Sequence, residues 1–490
     1  MFKTIKILAF IWICPCTISA QGTFHDAYND FKQQAHSEYE DFRQKANKEY
    51  AEWMKKAWEW HKKIEPMPRP KDEMLPPIIY NKEKDKSEEK PILYEDINPT
   101  PVPQPQPKPI SPIKEEDGDY QVASFKFFGT DGQIRLPKNH SFKLIGSGEE
   151  AYAAAWEQLS SDLYNNLIRD CLVLRMEHQL CDWAYLLMLG AMSEAICGKG
   201  TNEATMLQAF VFCQSGYKIR LGFTEKKELR LLFKSEHLIF DLEGIKMDDG
   251  IFYLIQPVEG NGLSVCDISY PEERPLSLWI TQEQKFAVSK SRERQLIPAD
   301  SMIAIKSHIN ENLLAFYSTY PTSMIGDDIV SRWAMYARTP LSESAKTKLY
   351  PQLKAILGQA DDTVMAASWL LYWVQTAFVY EYDDKVWGHD RAFFAEETLY
   401  YPYCDCEDRS IFFSRLVRDL LRLDVILVFY PGHLATAVAF NTPVKGDYIN
   451  VNGKHYTICD PTYIGAPIGA TMPNMDNKTA KIVLLKEIVN

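Results

Sequence analysis

A hydrophobic pattern that repeats every eleven residues marks the N-terminal part of the chain. The apolar positions step by threes and fours and comprise residues 24, 28, 31, 35, 39, 42, 46, 50, 53 and 57. Because an eleven-residue repeat corresponds to about 3.67 residues per turn, it predicts one long amphipathic helix over residues 21–64. Two roles fit this helix: packing against its own protein, or contact with an envelope component or a partner protein.

Residues 65–118 lose this periodicity and predict a linker. Residues 81–90 are wholly polar, and proline occupies nearly every second position from Pro99 to Pro109. Because proline lacks a backbone donor and favours the extended polyproline conformation, we expect a stiff spacer here.

Helix and strand patterns after residue 118 predict an α+β fold in two units, residues 119–298 and residues 299–490. In the first unit, alternation from Val122 to Leu136 predicts a β-hairpin, and helical periodicity runs from Glu149 to Cys197. In the second unit a helix is predicted to begin at Cys406. Patterns of buried strands follow it at Leu423–Phe429, Leu434–Phe440 and Tyr456–Cys459.

The first unit contains a similar order of elements, with a predicted helix after Thr201 followed by a strand at Tyr217–Phe223. An alignment with short gaps gives three pairs: Thr201 with Cys406, Lys227 with His433, and Gln256 with Asp460. We therefore interpret the first unit as a degenerate copy of the second, which predicts a duplicated fold. The alternative is an unrelated α+β domain with the common order helix, strand, strand.

The net charge and the N-terminal sequence indicate which partners and which location to expect. The net charge of -12 argues against nucleic acid as a partner, because nucleic-acid binding needs a basic face. Lys3 and Lys6, an apolar run and the small residues Ser19 and Ala20 predict a signal peptide over residues 1–20. We therefore expect export to the periplasm or the cell surface. The eight cysteines beyond this leader show neither a disulfide framework nor zinc-binding spacing.

A thiol, an imidazole and a carboxylate follow one another at the ends of the predicted elements. Cys406 begins a helix, where the backbone dipoles should lower the thiol pKa and favour the nucleophilic thiolate. His433 precedes a strand and is placed to accept the thiol proton, and Asp460 ends a strand and would orient the imidazole. The backbone N–H of Cys406 is the expected oxyanion donor, with Gln375 as a candidate second donor.

Three motifs surround these residues: Cys406-Glu407-Asp408-Arg409-Ser410, Gly432-His433-Leu434-Ala435-Thr436-Ala437-Val438, and Cys459-Asp460-Pro461-Thr462-Tyr463. They resemble the motifs of the transglutaminase-like cysteine peptidase superfamily, and more narrowly those of its exported Bacteroidetes-type members. The resemblance covers about residues 363–473. It implies a papain-like core, with the nucleophile helix packed on an antiparallel sheet, and makes Cys406, His433 and Asp460 the catalytic triad.

One departure from the superfamily pattern concerns Cys404. Many members have a small residue before the Asp–Cys pair, whereas here Cys404 occupies that place, as a decoy nucleophile or a resolving thiol. The sequence contains no recognisable calcium site of the superfamily type, so we expect neither a metal nor a cofactor.

Taken together, these features predict an exported cysteine hydrolase, a peptidase or amidase, that acts on a peptide or protein substrate through a thioester. A protein-crosslinking transglutaminase with the same triad is one alternative. A non-catalytic envelope scaffold is the other, and the oligomeric state is left open.

Overall fold

A computed structural model describes residues 20–69, 75–82, 91–93, 113–138, 142–298, 304–326, 328–475 and 480–485. Most of the predicted signal peptide and the most proline-rich part of the predicted linker lie outside these residues. The described chain is a mixed α+β protein, as the sequence patterns predict.

The helices of the described residues fall into three groups along the chain. The first group comprises α1 (Ala20–Met54), α2 (Glu149–Leu159), α3 (Asn165–Glu177), α4 (Asp182–Cys197) and α5 (Asn202–Gln214). The second comprises α6 (Glu311–Tyr317), α7 (Ser331–Arg338), α8 (Glu343–Leu357) and α9 (Thr363–Ala377). The third comprises α10 (Asp383–Val386), α11 (Ala395–Tyr400) and α12 (Cys406–Leu416), which continues into a π-helical turn, Val417–Leu421.

The first sheet is a closed barrel with the strand order β1-β10-β5-β6-β9-β8. Its strands are β1 (Trp58–Ile64), β5 (Ile219–Phe223), β6 (Leu229–Lys234), β8 (Gly244–Met247), β9 (Gly250–Leu254) and β10 (Gly262–Cys266). Helix α5 packs on β5 and β6.

The second sheet has the strand order β2-β18-β19-β17-β16-β20. Its strands are β2 (Pro91–Leu93), β16 (Asp424–Tyr430), β17 (His433–Ala439), β18 (Tyr448–Val451), β19 (Lys454–Cys459) and β20 (Lys481–Leu484). Helix α12 packs on β16 and β17.

Five strands follow the same antiparallel order in both sheets. The order β10-β5-β6-β9-β8 in the barrel has the same form as β20-β16-β17-β19-β18 in the second sheet, and every neighbouring pair is antiparallel in both. A helix precedes the first hairpin in each case. The two sheets differ in their extra strand, because β1 closes the barrel whereas β2 lies parallel to β18 at an edge.

The remaining strands form small two-stranded pairs. They are β3 (Tyr120–Phe127) with β4 (Thr130–Pro137), β7 (Leu238–Ile239) with β13 (Ser323–Met324), β11 (Arg294–Leu296) with β12 (Ile305–Ser307), and β14 (Val379–Tyr380) with β15 (Tyr403–Cys404). The predicted hairpin at Val122–Leu136 is confirmed, and its turn lies at Phe128 and Gly129, which both adopt positive φ.

The predicted N-terminal helix is correct up to Met54 and wrong beyond it. Residues Trp58–Ile64 form β1, which hydrogen-bonds to β10 and β8. Pairing on both sides overrides the helical period, because closing the barrel satisfies the backbone of all three strands. The helix itself packs on its own protein, with Tyr50, Ala51 and Met54 buried in the main core.

The structure shows contacts that involve the expected linker and cross the expected domain boundary. Pro91–Leu93 extends the second sheet, and residues 75–82 lie against the second unit. One hydrophobic core contains residues of both predicted units, and the β7–β13 pair crosses the expected boundary at 298. The patterns that predict two units are local, whereas this packing joins residues far apart in sequence.

Among the residues that the structure describes, no helix is both long and apolar enough to cross a membrane. Within this part of the chain, none of the eight cysteines forms a disulfide.

Candidate active site

Asp405 fixes the start of helix α12 and so places Cys406 in its first turn. The Asp405 carboxylate accepts hydrogen bonds from the N–H groups of Glu407 (3.0 Å) and Asp408 (3.4 Å), and Asp408 accepts one from the Asp405 N–H. This reciprocal arrangement is a capping box. It leaves Cys406 as the first residue of the helix.

The helix start lies against the start of strand β17. The Ser410 hydroxyl donates to the Leu434 carbonyl oxygen at 2.7 Å. The backbone N–H of Leu434 in turn donates to the Cys406 thiol. Cys406 therefore lies beside the residue that follows His433.

A two-residue turn, Pro431-Gly432, sets the position of His433. Tyr430 and His433 are paired across the turn, and Gly432 has a φ of 77°. Proline followed by a residue with positive φ is the pattern of a type II turn, which explains the glycine. His433 is therefore the first residue of β17.

Asp460 directly follows β19, the neighbour of β17 in the sheet. Its Oδ2 contacts His433 Nε2 at 2.7 Å, while its Oδ1 accepts the N–H groups of Thr462 (2.8 Å) and Tyr463 (3.2 Å). Both carboxylate oxygens are thus held. His433 Nδ1 is buried without a hydrogen-bond partner among the described residues. This is the nitrogen that a Cys-His-Asp arrangement leaves for the thiol proton.

The whole arrangement is closed to solvent. Cys406 is 0%, His433 1% and Asp460 3% exposed. Burial and the charge of Asp405 raise the pKa of the Cys406 thiol well above its ordinary value, against the lowering effect of the Leu434 N–H. The expectation that the helix start lowers this pKa is therefore wrong for this structure. Burial outweighs the helix dipole, and the thiol is neutral.

Cys404 has a different environment from Cys406. It lies on β15, where its Sγ is 3.8 Å from the Val379 carbonyl oxygen and 3.4 Å from Arg409 Nε. Arg409 also donates to the carbonyl oxygens of Gln375 and Phe378 at the end of α9. Cys404 thus contacts Val379 of β14 and the Arg409 guanidinium.

Gln375 holds the loop that carries Asp460. Its Nε2 donates to the carbonyl oxygens of Asp460 (2.9 Å) and Ala466 (3.2 Å), and its Oε1 accepts the Gly465 N–H at 3.1 Å. Both amide hydrogens are used by these bonds, so its candidacy as an oxyanion donor fails. It is a positioning residue for Asp460. The oxyanion role of the Cys406 N–H stays a prediction.

Buried carboxylates around the helix start were not singled out as a group from the sequence. Two sets have oxygens within 4.8 Å of one another: Asp383 with Asp390 and Glu407, and Asp405 with Glu407 and Asp408. Oxygen clusters of this kind can hold a divalent cation. Arg332 pairs with Asp390 and Glu407, while Glu407 Oε1 has no hydrogen-bond partner within the described chain.

Protonation of the carboxylates, in place of a bound cation, is another way to neutralise the charge of this cluster. Burial, followed by the charge of Glu407, raises the pKa of Asp383 to about 8. Burial raises the pKa of Glu407 well above its usual range, with neighbouring Asp390 as the next cause. The spacing Asp-x-Glu-Asp around Cys406 is the local signal that could have revealed part of this cluster.

The aligned residues of the first unit occupy related places. Thr201 caps helix α5 by accepting the Ala204 N–H, and Lys227 lies in the loop before β6 with a φ of 62°. Thr201 and Gln256 line one cleft of about 280 Å³ beside α4. No thiol, imidazole or carboxylate occupies the three aligned positions.

Comparison with protein-family models, with curated proteins and with solved structures found no match.

Proposed function

We propose that the protein is a transglutaminase-like cysteine hydrolase that cleaves a peptide or amide bond. The observation that carries this proposal is the contact of 2.7 Å between His433 Nε2 and Asp460 Oδ2, with the Cys406 thiol held by the N–H of the next residue, Leu434. A papain-like core and its duplication belong to the same proposal. The shared order of five strands in the two sheets supports the duplication. The packing of α12 on the antiparallel strands β16 and β17 supports the papain-like core.

The chemistry proceeds by acyl transfer to the thiol. His433 Nδ1 takes the proton from Cys406 as Sγ attacks the acyl carbonyl carbon, and the imidazolium is stabilised by Asp460. The proton then passes to the leaving amine as the C–N bond breaks and a thioester forms. Water, deprotonated by His433, attacks the thioester and releases the acid and the free thiol. An amine in place of water would give a crosslink.

Labelling with iodoacetamide, read by peptide mass spectrometry, tests the nucleophile. We expect alkylation at Cys406 that disappears in Cys406→Ala and persists in Cys404→Ala, which serves as the matched control. Modification of both thiols at equal rates, or of neither after prolonged reaction with the folded protein, contradicts the proposal. The second outcome favours the non-catalytic scaffold.

Incubation with a peptide library, a primary amine and ¹⁸O-labelled water then identifies the acceptor. Incorporation of ¹⁸O into a new carboxyl group indicates hydrolysis, whereas an amine adduct indicates transglutamination. The exported location also remains a proposal, and fractionation of the producing cells tests it.

An experimental structure tests the duplication. We expect α5 and its five strands to superpose on α12 and its five strands, with Thr201 falling on the position of Cys406. A superposition that pairs other strands would refute the duplication but would not test the proposed chemistry.

A further inference from the structure

A short extended segment, residues 75–81, crosses the two loops that carry His433 and Asp460. At one end, the Leu75 N–H donates to the Gly432 carbonyl oxygen at 2.8 Å. The Leu75 carbonyl oxygen accepts the Tyr380 hydroxyl at 3.4 Å. Both main-chain groups of Leu75 are therefore engaged beside the turn that positions His433.

At the other end, the segment pairs with the loop that follows Asp460. The Ile464 N–H donates to the Ile78 carbonyl oxygen at 3.0 Å, and the Tyr80 N–H donates to the Ile464 carbonyl oxygen at 2.9 Å. Ile79 and Ile464 form a parallel β-bridge. Main-chain pairing of this kind is how an extended peptide binds to a protein edge.

Side chains alternate between the protein and solvent along this segment. Ile78 and Tyr80 pack against a small cluster that comprises Tyr463, Ala466, Ala470 and Met472. The rings of Tyr80 and Tyr463 meet edge to face, with centroids 5.5 Å apart. Ile79 points away and is 74% exposed. The alternation matches that of a strand, in which only every second side chain enters a groove.

Tyr380 links this segment to the candidate nucleophile. Burial, and next the nearby Cys406 thiol, raise the pKa of Tyr380. The same tyrosine hydroxyl holds the Leu75 carbonyl oxygen. The segment therefore lies against the turn before His433, the loop after Asp460 and Tyr380. Cys406, His433 and Asp460 are all closed to solvent in this structure.

We propose that residues 75–81 occupy the acyl-donor groove of the protein as an intramolecular substrate mimic and keep the site closed. The groove accordingly takes an extended peptide that pairs with Gly432 and Ile464 and places two apolar side chains, two residues apart, where Ile78 and Tyr80 lie. Displacement of the segment by such a peptide opens the site. This inference rests on the proposed thiol chemistry and adds its substrate class and its regulation.

Alkylation of Cys406 in the full-length protein tests the closed state. The variant Ile78→Ser/Tyr80→Ala removes the two side chains that enter the groove, and Ile79→Ser is the matched control from the same segment. We expect iodoacetamide to modify Cys406 about tenfold faster in the double variant, because a larger fraction of molecules has an open groove. Equal rates in wild type, control and double variant overturn the proposal.

Direct binding of a peptide separates this proposal from the thiol chemistry. A fluorescent peptide with the sequence of residues 75–81 should bind the double variant, bind wild type at least tenfold more weakly, and slow alkylation of the double variant. A peptide with serine at the positions of Ile78 and Tyr80 should do neither. Failure of the parent peptide to bind the double variant overturns the groove assignment, and equal binding to wild type overturns the closed state.

The two failures remain distinguishable. Peptide binding to the double variant without any alkylation of Cys406 refutes the proposed function and leaves the groove in place. Alkylation at one rate in all three proteins leaves the thiol chemistry intact and refutes the mimic. Thermal unfolding of each variant, and the recovery of protection on adding the peptide, identify a double variant that is merely misfolded.

Discussion

At the scale of single residues, Asp460 sets the orientation and the tautomer of the His433 ring. Asp460 accepts from His433 Nε2 through one oxygen and from two backbone N–H groups through the other. An ionised carboxylate in this position keeps the ring proton on Nε2, so that Nδ1 can accept the thiol proton.

The substitution Asp460→Asn should therefore preserve the loop and abolish the chemistry. An asparagine oxygen can still accept the N–H groups of Thr462 and Tyr463, while its NH₂ group faces Nε2 and drives the ring proton to Nδ1. We expect the rate of Cys406 alkylation at neutral pH to fall by about 10²–10⁴-fold, with little change in thermal stability. Retention of the rate would show that His433 does not act through Asp460.

The positions of Cys406, His433 and Asp460 could be anticipated from the sequence, whereas the state of the thiol could not. Each residue stands next to a strong local pattern, a helix start or a strand end. The pKa of Cys406 depends instead on complete burial and on Asp405, Glu407 and Asp460. Burial is a property of the assembled fold, and in this case it reverses the effect expected from the helix dipole.

At the scale of elements, Gln375 joins α9 to the loop after β19. Replacing it by leucine, which has a similar size, would leave the carbonyl oxygens of Asp460 and Ala466 and the N–H of Gly465 without these partners. We expect the free energy of unfolding to fall by about 2–4 kcal/mol, because buried polar groups without hydrogen-bond partners destabilise the folded state. We also expect Cys406 alkylation to slow. Gln359→Leu, which changes an exposed glutamine of the same type, should leave both measurements unchanged.

Buried acids near α11 give the fold a pH dependence of defined sign. Burial raises the pKa of Glu396 to about 7, although Ser342 donates to it through N–H and hydroxyl groups. An acid with a raised pKa in the folded state favours the fold when protonated. Its contribution is therefore fully present below the unfolded pKa of about 4.3 and is lost as the pH rises towards 7.

The variant Glu396→Gln removes this titration while keeping the shape of the side chain. We expect its free energy of unfolding to vary less with pH between about 5 and 7, by up to ~1.4 kcal/mol per pH unit relative to wild type. Denaturant titrations at several pH values measure the difference. Parallel pH curves for the two proteins would show that Glu396 does not titrate in this range.

The strands around the candidate site can be predicted from local sequence patterns, but the strands and side chains that they contact cannot. The structure has strands at Asp424–Tyr430, His433–Ala439 and Lys454–Cys459, each within two residues of its predicted bounds. By contrast, Trp58–Ile64 becomes a strand only by pairing with β10 and β8, about two hundred residues away along the chain. The same holds for the carboxylates of Asp383 and Asp390, which reach Glu407 through tertiary packing.

At the scale of the whole molecule, the N-terminal helix is joined to the first unit by a buried polar network. Arg43, which is 2% exposed, donates to Glu40, Asn165 and Gln214. Asn47 is fully buried and exchanges hydrogen bonds with Gln214, at 3.0 and 3.1 Å. Arg43 and Asn47 each directly follow an apolar position of the eleven-residue pattern, Phe42 and Ala46, so they border the apolar stripe of the helix. The register of the helix therefore depends on specific hydrogen bonds as well as on apolar burial.

The substitution Arg43→Ala should loosen the helix, and with it the barrel that β1 closes. It leaves Glu40, Asn165 and Gln214 without a buried cation or donor, and breaking a buried ion pair costs about 3–5 kcal/mol. Lys45→Ala is the matched control, because Lys45 is 77% exposed and its nearest acid, Glu49, lies 3.9 Å away. Hydrogen exchange should speed up along residues 39–64 in Arg43→Ala alone, since β1 follows directly from the helix. Faster exchange in the helix with unchanged protection of Trp58–Ile64 would show that the barrel closes independently of the helix. In that case α1 would be an attachment to the first unit and not a part of its fold.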